Sequence, residues 1–245
     1  MFGLVDGAGE KIAEISGDPL YTKIELTGTT HLVDEVRLLA PIIPRSKIIG
    51  IAHNFAAHAA ERGADVREVP LMFLVPNTAV VGPDDPVVIP SFVHEVAHEA
   101  ELAVVIGRMC KDVSASEASS VIFGYTVAND VTAKDLAASD IQWARAKGMD
   151  TFCPLGPWIE TDIDPSDLRV TCRVDGELRQ DQSTQDMVHK IPELIEVLSA
   201  AFTLLPGDVI LAGTPAGISQ VHPGERVEVA VEGIGSFSNP FVTAT

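Results

Sequence analysis

Two glutamates stand two residues apart at the head of an apolar segment, HEAELAVVIG. If this segment is a strand, Glu99 and Glu101 point to the same side, because side chains alternate along a strand. Two like charges at a half-buried position are unfavourable unless one is protonated or a cation lies between them. The pair is therefore a candidate ligand set for a divalent metal, and a solvated strand end is the alternative.

A third carboxylate, Asp130, ends another apolar segment, GYTVAND. Three carboxylates would suit Mg²⁺ or Mn²⁺, since both prefer oxygen ligands, and would leave coordination positions for water and substrate. Asp130 is equally a candidate N-cap for a helix that begins at Val131. Both roles remain open at this point.

Two further groups could perform acid-base or electrostatic chemistry. His58 and Glu61 stand three residues apart in the Ala-rich segment NFAAHAAER, which predicts a short helix over 54–62 that Gly63 ends. They would share a face and could form a general base, or be a solvated surface pair. Lys147 could stabilise an enolate or oxyanion, or be an ordinary surface lysine.

The segment PGDVILAGTPAG ends in a turn over 213–217 whose glycines have no side chain. Its backbone could approach a carboxylate closely, although a plain turn is the alternative. Of the histidines near the glutamate pair, His98 is expected to point away from it and His94 to lie in a loop. Neither is a preferred metal ligand.

The elements that must position these residues are mostly strands. Weak alternation over 1–40 predicts short strands joined by turns, and a Pro-containing segment places a domain boundary near residue 43, giving domains 1–43 and 44–245. Later β-branched runs predict strands near residues 47–51, 71–75, 86–89, 101–106, 124–130, 168–176, 208–214 and 226–235. Helices are predicted over 131–145 and 191–202. The sequence thus predicts a β-rich α+β fold, too irregular for a Rossmann or TIM architecture.

Composition disfavours several classes of partner. The 245 residues include 17 Lys and Arg against 35 Asp and Glu, for a net charge of −18, which disfavours nucleic acid and anionic membrane surfaces. No apolar run approaches the roughly 18 residues needed to span a bilayer, and the N-terminus does not resemble a signal peptide. Cys110, Cys153 and Cys172 lack metal-site spacing, so we expect reduced thiols in a cytoplasmic protein.

Six segments, in their order and spacing, resemble the fumarylacetoacetate hydrolase superfamily from about residue 44 to residue 240. They are IIGIAHNFAAHAAE (48–61), FLVPNTAVVGPDDPVVIP (73–90), HEAELAVVIGR (98–108), GYTVANDVTAKDL (124–136), QWARAKGMDTFCPLGPWIET (142–161) and LLPGDVILAGTPAG (204–217). The resemblance implies a mixed β-sheet roll with a small N-terminal β-rich domain, assembled as a homodimer. It also implies that the protein holds Mg²⁺, Mn²⁺ or Ca²⁺.

The resemblance also implies roles for individual residues. Glu99, Glu101 and Asp130 match the metal ligands of the superfamily, and His58 and Glu61 match a dyad on a short lid helix. Further matches are Lys147, beside the oxo group of the substrate, and Thr214, at a substrate carboxylate.

Three positions depart from the pattern of the superfamily. Lys134, a candidate substrate ligand, replaces a common Arg and lacks its bidentate fork. Ala137 replaces a Gln found in many hydrolytic and decarboxylating members, and Val75 replaces a frequent Lys.

The resemblance implies an enzyme that acts on a small 2-oxo acid or its enol through a metal-stabilised enolate, as in the catabolism of aromatic compounds. Isomerisation of the 2-hydroxyhepta-2,4-diene-1,7-dioate type, or decarboxylation of oxaloacetate, is favoured because Ala137 and Val75 remove polar groups that could position water. One alternative is hydrolysis of a carbon-carbon bond in an acylpyruvate such as fumarylpyruvate, or in fumarylacetoacetate. The other is a catalytically weak metal-binding member of the fold.

Overall fold

The computed structural model describes residues 1–244 and divides the chain into two compact units, Met1–Leu39 and the part from Ala40 onward. The first unit contains three strands, β1 (Phe2–Val5), β2 (Lys11–Ser16) and β3 (Glu25–Leu32). They form an antiparallel sheet in the order β1-β2-β3, which confirms the short strands predicted there. The boundary predicted near residue 43 lies just beyond this division.

The second unit is built mainly of strands in three sheets. The strands are β4 (Ile48–Ala52), β5 (Leu71–Val75), β6 (Val80–Val81), β7 (Val87–Ile89), β8 (Val96–Ala97), β9 (Ala100–Ile106), β10 (Ile122–Asn129), β11 (Thr132–Ala133), β12 (Cys153–Glu160), β13 (Arg169–Val174), β14 (Glu177–Ser183), β15 (Val209–Leu211), β16 (Gln220–Val221), β17 (Arg226–Val231) and β18 (Gly235–Thr243). The sheet orders are β5-β4-β15-β9-β10-β12-β6, β11-β8-β16 and β14-β13-β17-β18-β7. Parallel and antiparallel pairs are mixed, because β4 pairs with β15 in parallel and β9 with β10 antiparallel.

Four α-helices and several 3₁₀ turns complete the described chain. The helices are α1 (Ala56–Glu61), α2 (Lys134–Ser139), α3 (Ala144–Lys147) and α4 (Ile191–Ala201), and the 3₁₀ turns are Val33–Glu35, Asn77–Ala79, Ala115–Val121, Pro165–Asp167 and Thr184–Asp186. The short helix predicted after β4 and the helix predicted at 191–202 are confirmed. In α4 the buried residues Ile191, Leu194, Ile195 and Leu198 follow helical spacing and pack into the core.

The single helix predicted over 131–145 is wrong. Thr132 and Ala133 form β11 and pair with Ala97 and Val96 of β8, so the chain is extended where a helix was expected. Helix α2 begins only at Lys134, and the segment between Ser139 and Ala144 separates it from α3. The N-cap role for Asp130 is consequently wrong too, because the residue that precedes α2 is Ala133.

The core lies around β9, whose seven residues are all buried between β15 and β10. Its sequence, AELAVVI, is apolar except for Glu101, as expected for a central strand covered on both faces. The predicted β-rich α+β fold is confirmed. Within residues 1–244, no helix is both long and apolar enough to cross a membrane.

Candidate active site and metal centre

Two neighbouring strands bring the three predicted carboxylates together. Glu99 directly precedes β9, Glu101 lies within β9, and Asp130 directly follows β10. The Asp130 N–H donates to the carbonyl oxygen of Glu99 at 2.9 Å, which holds the start of β9 beside the end of β10. One oxygen from each carboxylate lies within 4.8 Å of the others. Their exposures are 8%, 1% and 0%, so the solvated strand end that was the alternative is wrong.

Lys147, in α3, lies against this cluster. Its Nζ donates to Glu99 Oε2 at 2.9 Å and to Thr132 Oγ1 at 2.8 Å, and it also contacts the Asp130 carboxylate. The ammonium group is 5.1 Å from the centre of the Phe73 ring. Burial lowers the pKa of Lys147, but the charges of Asp130 and Glu99 outweigh burial and hold it above its usual value. The residue is buried, so the interpretation as a surface lysine is wrong.

The charge balance of the cluster fits a divalent cation. Burial raises the pKa of Asp130 to about 6, against the charge of Lys147. Burial and the neighbouring Asp130 charge raise the pKa of Glu101 well above its ordinary value. Burial also raises the pKa of Glu99, but Lys147 outweighs this effect and lowers it overall. One ammonium group therefore does not neutralise three buried carboxyl groups, and their oxygens are the ligands that hard cations prefer.

One oxygen of the cluster is free to bind such an ion. Asp130 Oδ1 is buried and has no hydrogen-bond donor among residues 1–244. A buried acceptor without a donor is costly, and coordination of a cation would remove the cost. Glu101 Oε2 instead accepts from the N–H of Gly213 at 2.6 Å. The backbone of the turn after β15 therefore binds a carboxylate, as predicted for this turn, and that carboxylate is the side chain of Glu101.

His58 and Glu61 lie on α1, and the structure brings their side chains near each other without a hydrogen bond. Nδ1 of His58 is 4.0 Å from Glu61 Oε2 and, within the described chain, has no partner. Burial lowers the pKa of His58, so the imidazole is neutral at neutral pH. Glu61 accepts from the N–H of Gly217 at 3.0 and 3.2 Å, which links α1 to the turn. His58 is buried, so the alternative of a solvated histidine is wrong.

A cavity of about 50 Å³ joins most of these groups. Its lining combines the acidic cluster with aromatic, basic and small side chains: Ile51, Ala52, His53, His58, Arg62, Phe73, Glu99, Asp130, Thr132, Ala137, Trp143, Lys147 and Thr214. Thr214 is therefore at the cavity, whereas the lining does not include Lys134. The backbone N–H of Lys134 donates to the carbonyl of Glu95 at 2.8 Å, at the start of α2.

Reasoning from sequence missed the aromatic wall of this cavity. The ring of Trp143 lies 5.7 Å from that of Phe73 and 6.0 Å from that of His53, with T-shaped geometry in both pairs. His53 has a positive φ of 56°, which is unusual for a residue other than glycine. The neighbourhood of His53 and His58 in the sequence was a usable signal. Nothing local marked Phe73 or Trp143, whose proximity depends on the packing of β5 against the loop before α3.

A buried polar network behind the carboxylates was also missed. Gln180 of β14 donates through Nε2 to Thr214 Oγ1 and to the carbonyl of Pro215, both at 2.8 Å. Its Oε1 accepts from the Ala100 N–H at 3.0 Å and contacts Nδ1 of His98 at 3.0 Å. Because the Ser219 N–H donates to Nε2 of His98, Nδ1 carries the proton of this neutral ring. His98 thus points away from the metal cluster, as predicted.

Comparison with protein families identifies the chain. Residues 47–242 match the family described as Fumarylacetoacetate (FAA) hydrolase C-terminal, and residues 1–41 match Rv2993c-like, N-terminal. The chain belongs to the fumarylacetoacetate hydrolase family. The resemblance found in the sequence is confirmed, and so is the expectation that the protein is an enzyme of this superfamily.

Two relatives show the range of similarity in sequence. Protein Rv2993c of Mycobacterium tuberculosis is 48% identical over 232 residues, which cover 94% of this chain and 87% of the relative. Oxaloacetate tautomerase FAHD2B, mitochondrial, of Bos taurus is 40% identical over 220 residues, which cover 85% of this chain and 70% of the relative.

Solved structures agree with the family and with the fold. The 5-carboxymethyl-2-hydroxymuconate delta-isomerase from Mycobacterium smegmatis matches with a TM-score of 0.88 and 48% identity, covering 96% of this chain and 90% of that one. A maleylpyruvate hydrolase from Sphingobium sp. SYK-6, in complex with manganese (II) ion and pyruvate, matches with a TM-score of 0.73 and 34% identity. The coverage in that pair is 91% of this chain and 78% of the hydrolase. The predicted roll of this superfamily is confirmed.

Proposed function

We propose that the protein is a divalent-metal-dependent isomerase of small 2-oxo acids and their enols. The observation that carries the proposal is the buried cluster of Glu99, Glu101 and Asp130, with the Lys147 ammonium group and the unpartnered nitrogen of His58 at the same cavity. Relatives named as an isomerase and as an oxaloacetate tautomerase support the same class of reaction.

The three carboxylates would hold the ion, with Asp130 Oδ1 as the uncommitted oxygen. A bound divalent ion would polarise the carboxylate and 2-oxo oxygens of a substrate and make the adjacent carbon more acidic. Lys147 lies beside two of the ligands and places a permanent positive charge where negative charge develops on oxygen. We propose Mg²⁺ as the resident ion, with Mn²⁺ or Ca²⁺ as the alternatives.

His58 is the proposed proton carrier. Its neutral imidazole has a free nitrogen, so it can take a proton from one atom of the substrate and return it to another. The substrate then leaves with the same atoms it brought. Glu61, 4.0 Å away, would stabilise the positive charge that His58 acquires between the two transfers. Thr214 and Lys134 stay proposed substrate ligands, and Thr214 is the one that lines the cavity.

The lining of the cavity favours isomerisation over hydrolysis. At Ala137 the cavity meets a methyl group, where many hydrolytic and decarboxylating members of the superfamily have glutamine. No amide is therefore available at that position to hold an attacking water.

Hydrolysis of a carbon-carbon bond is the second candidate. It is favoured by the pairing of a neutral, buried His58 with Glu61, because the same pair could activate water. The similarity to a maleylpyruvate hydrolase also supports it. Decarboxylation of oxaloacetate needs the same enolate and no attacking water.

A ¹³C NMR time course with magnesium would separate these reactions. The substrates are oxaloacetate, fumarylpyruvate and a 2-hydroxyheptadienedioate, and the control is the Glu101→Gln variant. We expect a single product with an unchanged carbon skeleton. Two acids would indicate the hydrolase, whereas pyruvate with bicarbonate would indicate the decarboxylase. No conversion with magnesium bound would contradict the proposal and indicate the catalytically weak alternative.

We further propose that the protein is a cytoplasmic homodimer with two domains, 1–43 and 44–245. The three cysteines are free and buried, in keeping with a reducing compartment. A role in the catabolism of aromatic compounds is proposed because one relative is named as a maleylpyruvate hydrolase. Sedimentation equilibrium would test the dimer.

A further inference from the structure

One positively charged side chain at the cavity, Arg62, has no role in the proposed chemistry. Arg62 follows α1 directly and contributes to the lining together with Glu99 and Asp130. Within residues 1–244, its guanidinium group has no hydrogen bond or ion pair. Glu61, its neighbour in the sequence, accepts from Gly217 instead. Arg62 is exposed, so a ligand in the cavity would replace water around this guanidinium group and would not have to break an existing ion pair.

His53 lies beside Arg62 at the same cavity. It occupies the connection between β4 and α1 with a φ of 56°, and its ring contacts the rings of His58 and Trp143 at centroid distances of 6.0 Å. Burial lowers the pKa of His53, and Arg62 and Arg67 lower it further, although Glu99 opposes them. The ring is therefore a neutral hydrogen-bond donor held against an aromatic wall.

We infer that Arg62, with His53 beside it, binds the distal carboxylate of a 2-oxo dicarboxylate substrate. The inference rests on the proposed function, in which the 2-oxo acid end of the substrate lies at the three carboxylates. A second carboxylate on the substrate would bring another negative charge into an acidic site and needs a counter-charge. Arginine suits this task because its planar guanidinium group can donate two parallel hydrogen bonds to one carboxylate.

Arg62 and His53 would have different parts in this recognition. The guanidinium group supplies the charge, and the imidazole supplies a neutral donor whose position is set by Trp143 and by the backbone of His53. A monocarboxylic 2-oxo acid would leave both groups without a partner. Arg62 and His53 would therefore select dicarboxylates over monocarboxylates that have the same 2-oxo acid end.

Calorimetry with two non-reacting ligands tests the inference without turnover. Malate and 2-hydroxybutanoate share a 2-hydroxy acid end, and they differ in having a carboxylate or a methyl group at the far end. We expect the magnesium-loaded protein to bind malate about tenfold or more tightly than 2-hydroxybutanoate, the range of a charged hydrogen bond. In Arg62→Met the ratio of the two dissociation constants should fall to nearly one, through weaker binding of malate alone.

Arg67→Met is the matched control, because Arg67 also acts on the charge of His53 but is not part of the cavity lining. The ratio should be unchanged in that variant, and His53→Asn should lower it by about threefold while tolerating the positive φ. A ratio near one in the unaltered protein, a ratio retained in Arg62→Met, or no binding of malate would overturn the inference. The proposed function fails separately, through the absence of turnover in the NMR experiment.

Discussion

At the scale of single residues, Glu101 sets the electrostatic state of the metal centre. It is 1% exposed and its pKa is raised, by burial and by Asp130. A carboxyl group whose pKa is higher in the folded than in the unfolded protein favours folding while it is protonated. This contribution is complete at low pH and is lost as the pH rises through the pKa of the folded state. Without metal, a charged Glu101 therefore works against folding. With metal, the same charge is a ligand.

The variant Glu101→Gln should separate these two effects. We expect magnesium affinity to fall by more than about 100-fold and turnover to be lost, because a charged ligand is removed. The metal-free variant should be more stable than the metal-free parent at pH 8, by on the order of 1 kcal/mol, and the difference should shrink toward pH 5. Calorimetry and urea unfolding measure these quantities. Exposed Glu228→Gln is the control, and magnesium binding retained in Glu101→Gln would remove Glu101 from the ligand set.

For His58, the proposed proton carrier, we expect an effect on turnover and none on metal binding. His58→Ala should leave magnesium affinity unchanged and lower kcat by about 100-fold, a typical contribution of a general base. Since burial lowers the pKa of His58, the rate of the parent should fall only as the pH falls below the usual histidine range, where the imidazole becomes protonated. This acidic limb should be missing in the variant. Steady-state pH profiles test it, with His222→Ala as the control at a different cavity. An unchanged kcat would exclude His58.

At the scale of elements, the sequence predicts what local patterns determine. β-branched runs predict the central strands, and the period of two places Glu99 and Glu101 together. The position of Asp130 at the end of β10 was also predicted, because Asp130 ends the apolar segment GYTVAND. The helix predicted at 131–145 fails because Thr132 and Ala133 pair with β8, a contact between distant parts of the chain. The secondary-structure propensities of the residues do not predict pairing between strands that are distant in the sequence.

Strand β14 illustrates the same limit within the site. Gln180 lies far along the sequence from Ala100 and Thr214, yet its amide binds both. A single polar residue in a strand gives no sign of such a role. Its importance follows from burial and from the number of partners that depend on one side chain.

Gln180→Ala should therefore destabilise the protein strongly. The variant would leave His98, Ala100 and Thr214 without one of their partners in the core, at a total cost of about 3 kcal/mol. Gln182→Ala is the matched control on β14. The half-buried Gln182 accepts from the Ala216 N–H and donates a long, exposed hydrogen bond to Asp186, so its loss should cost less than about 1 kcal/mol. Urea unfolding of the metal-free proteins provides the comparison. Equal losses in the two variants would mean that the network does not brace the strand ends.

At the scale of the whole molecule, the dominant feature is negative charge. The net charge of −18 already opposes a compact state, and the fold adds three carboxyl groups buried at one point. Both effects make a bound divalent cation stabilising. Only the second effect is specific, because general screening by salt acts on the exposed charges and little on buried ones.

Magnesium should consequently raise the melting temperature well beyond what salt achieves. At a concentration 100 times the dissociation constant, binding to the folded state alone adds about 2.7 kcal/mol, which corresponds to about 5–10 °C for a chain of this size. Differential scanning calorimetry would compare magnesium chloride with sodium chloride at equal ionic strength, and the Glu101→Gln variant would keep only the salt effect. Equal shifts with the two salts in the parent would show that magnesium acts on the surface charge, and the buried carboxylates would then need another explanation.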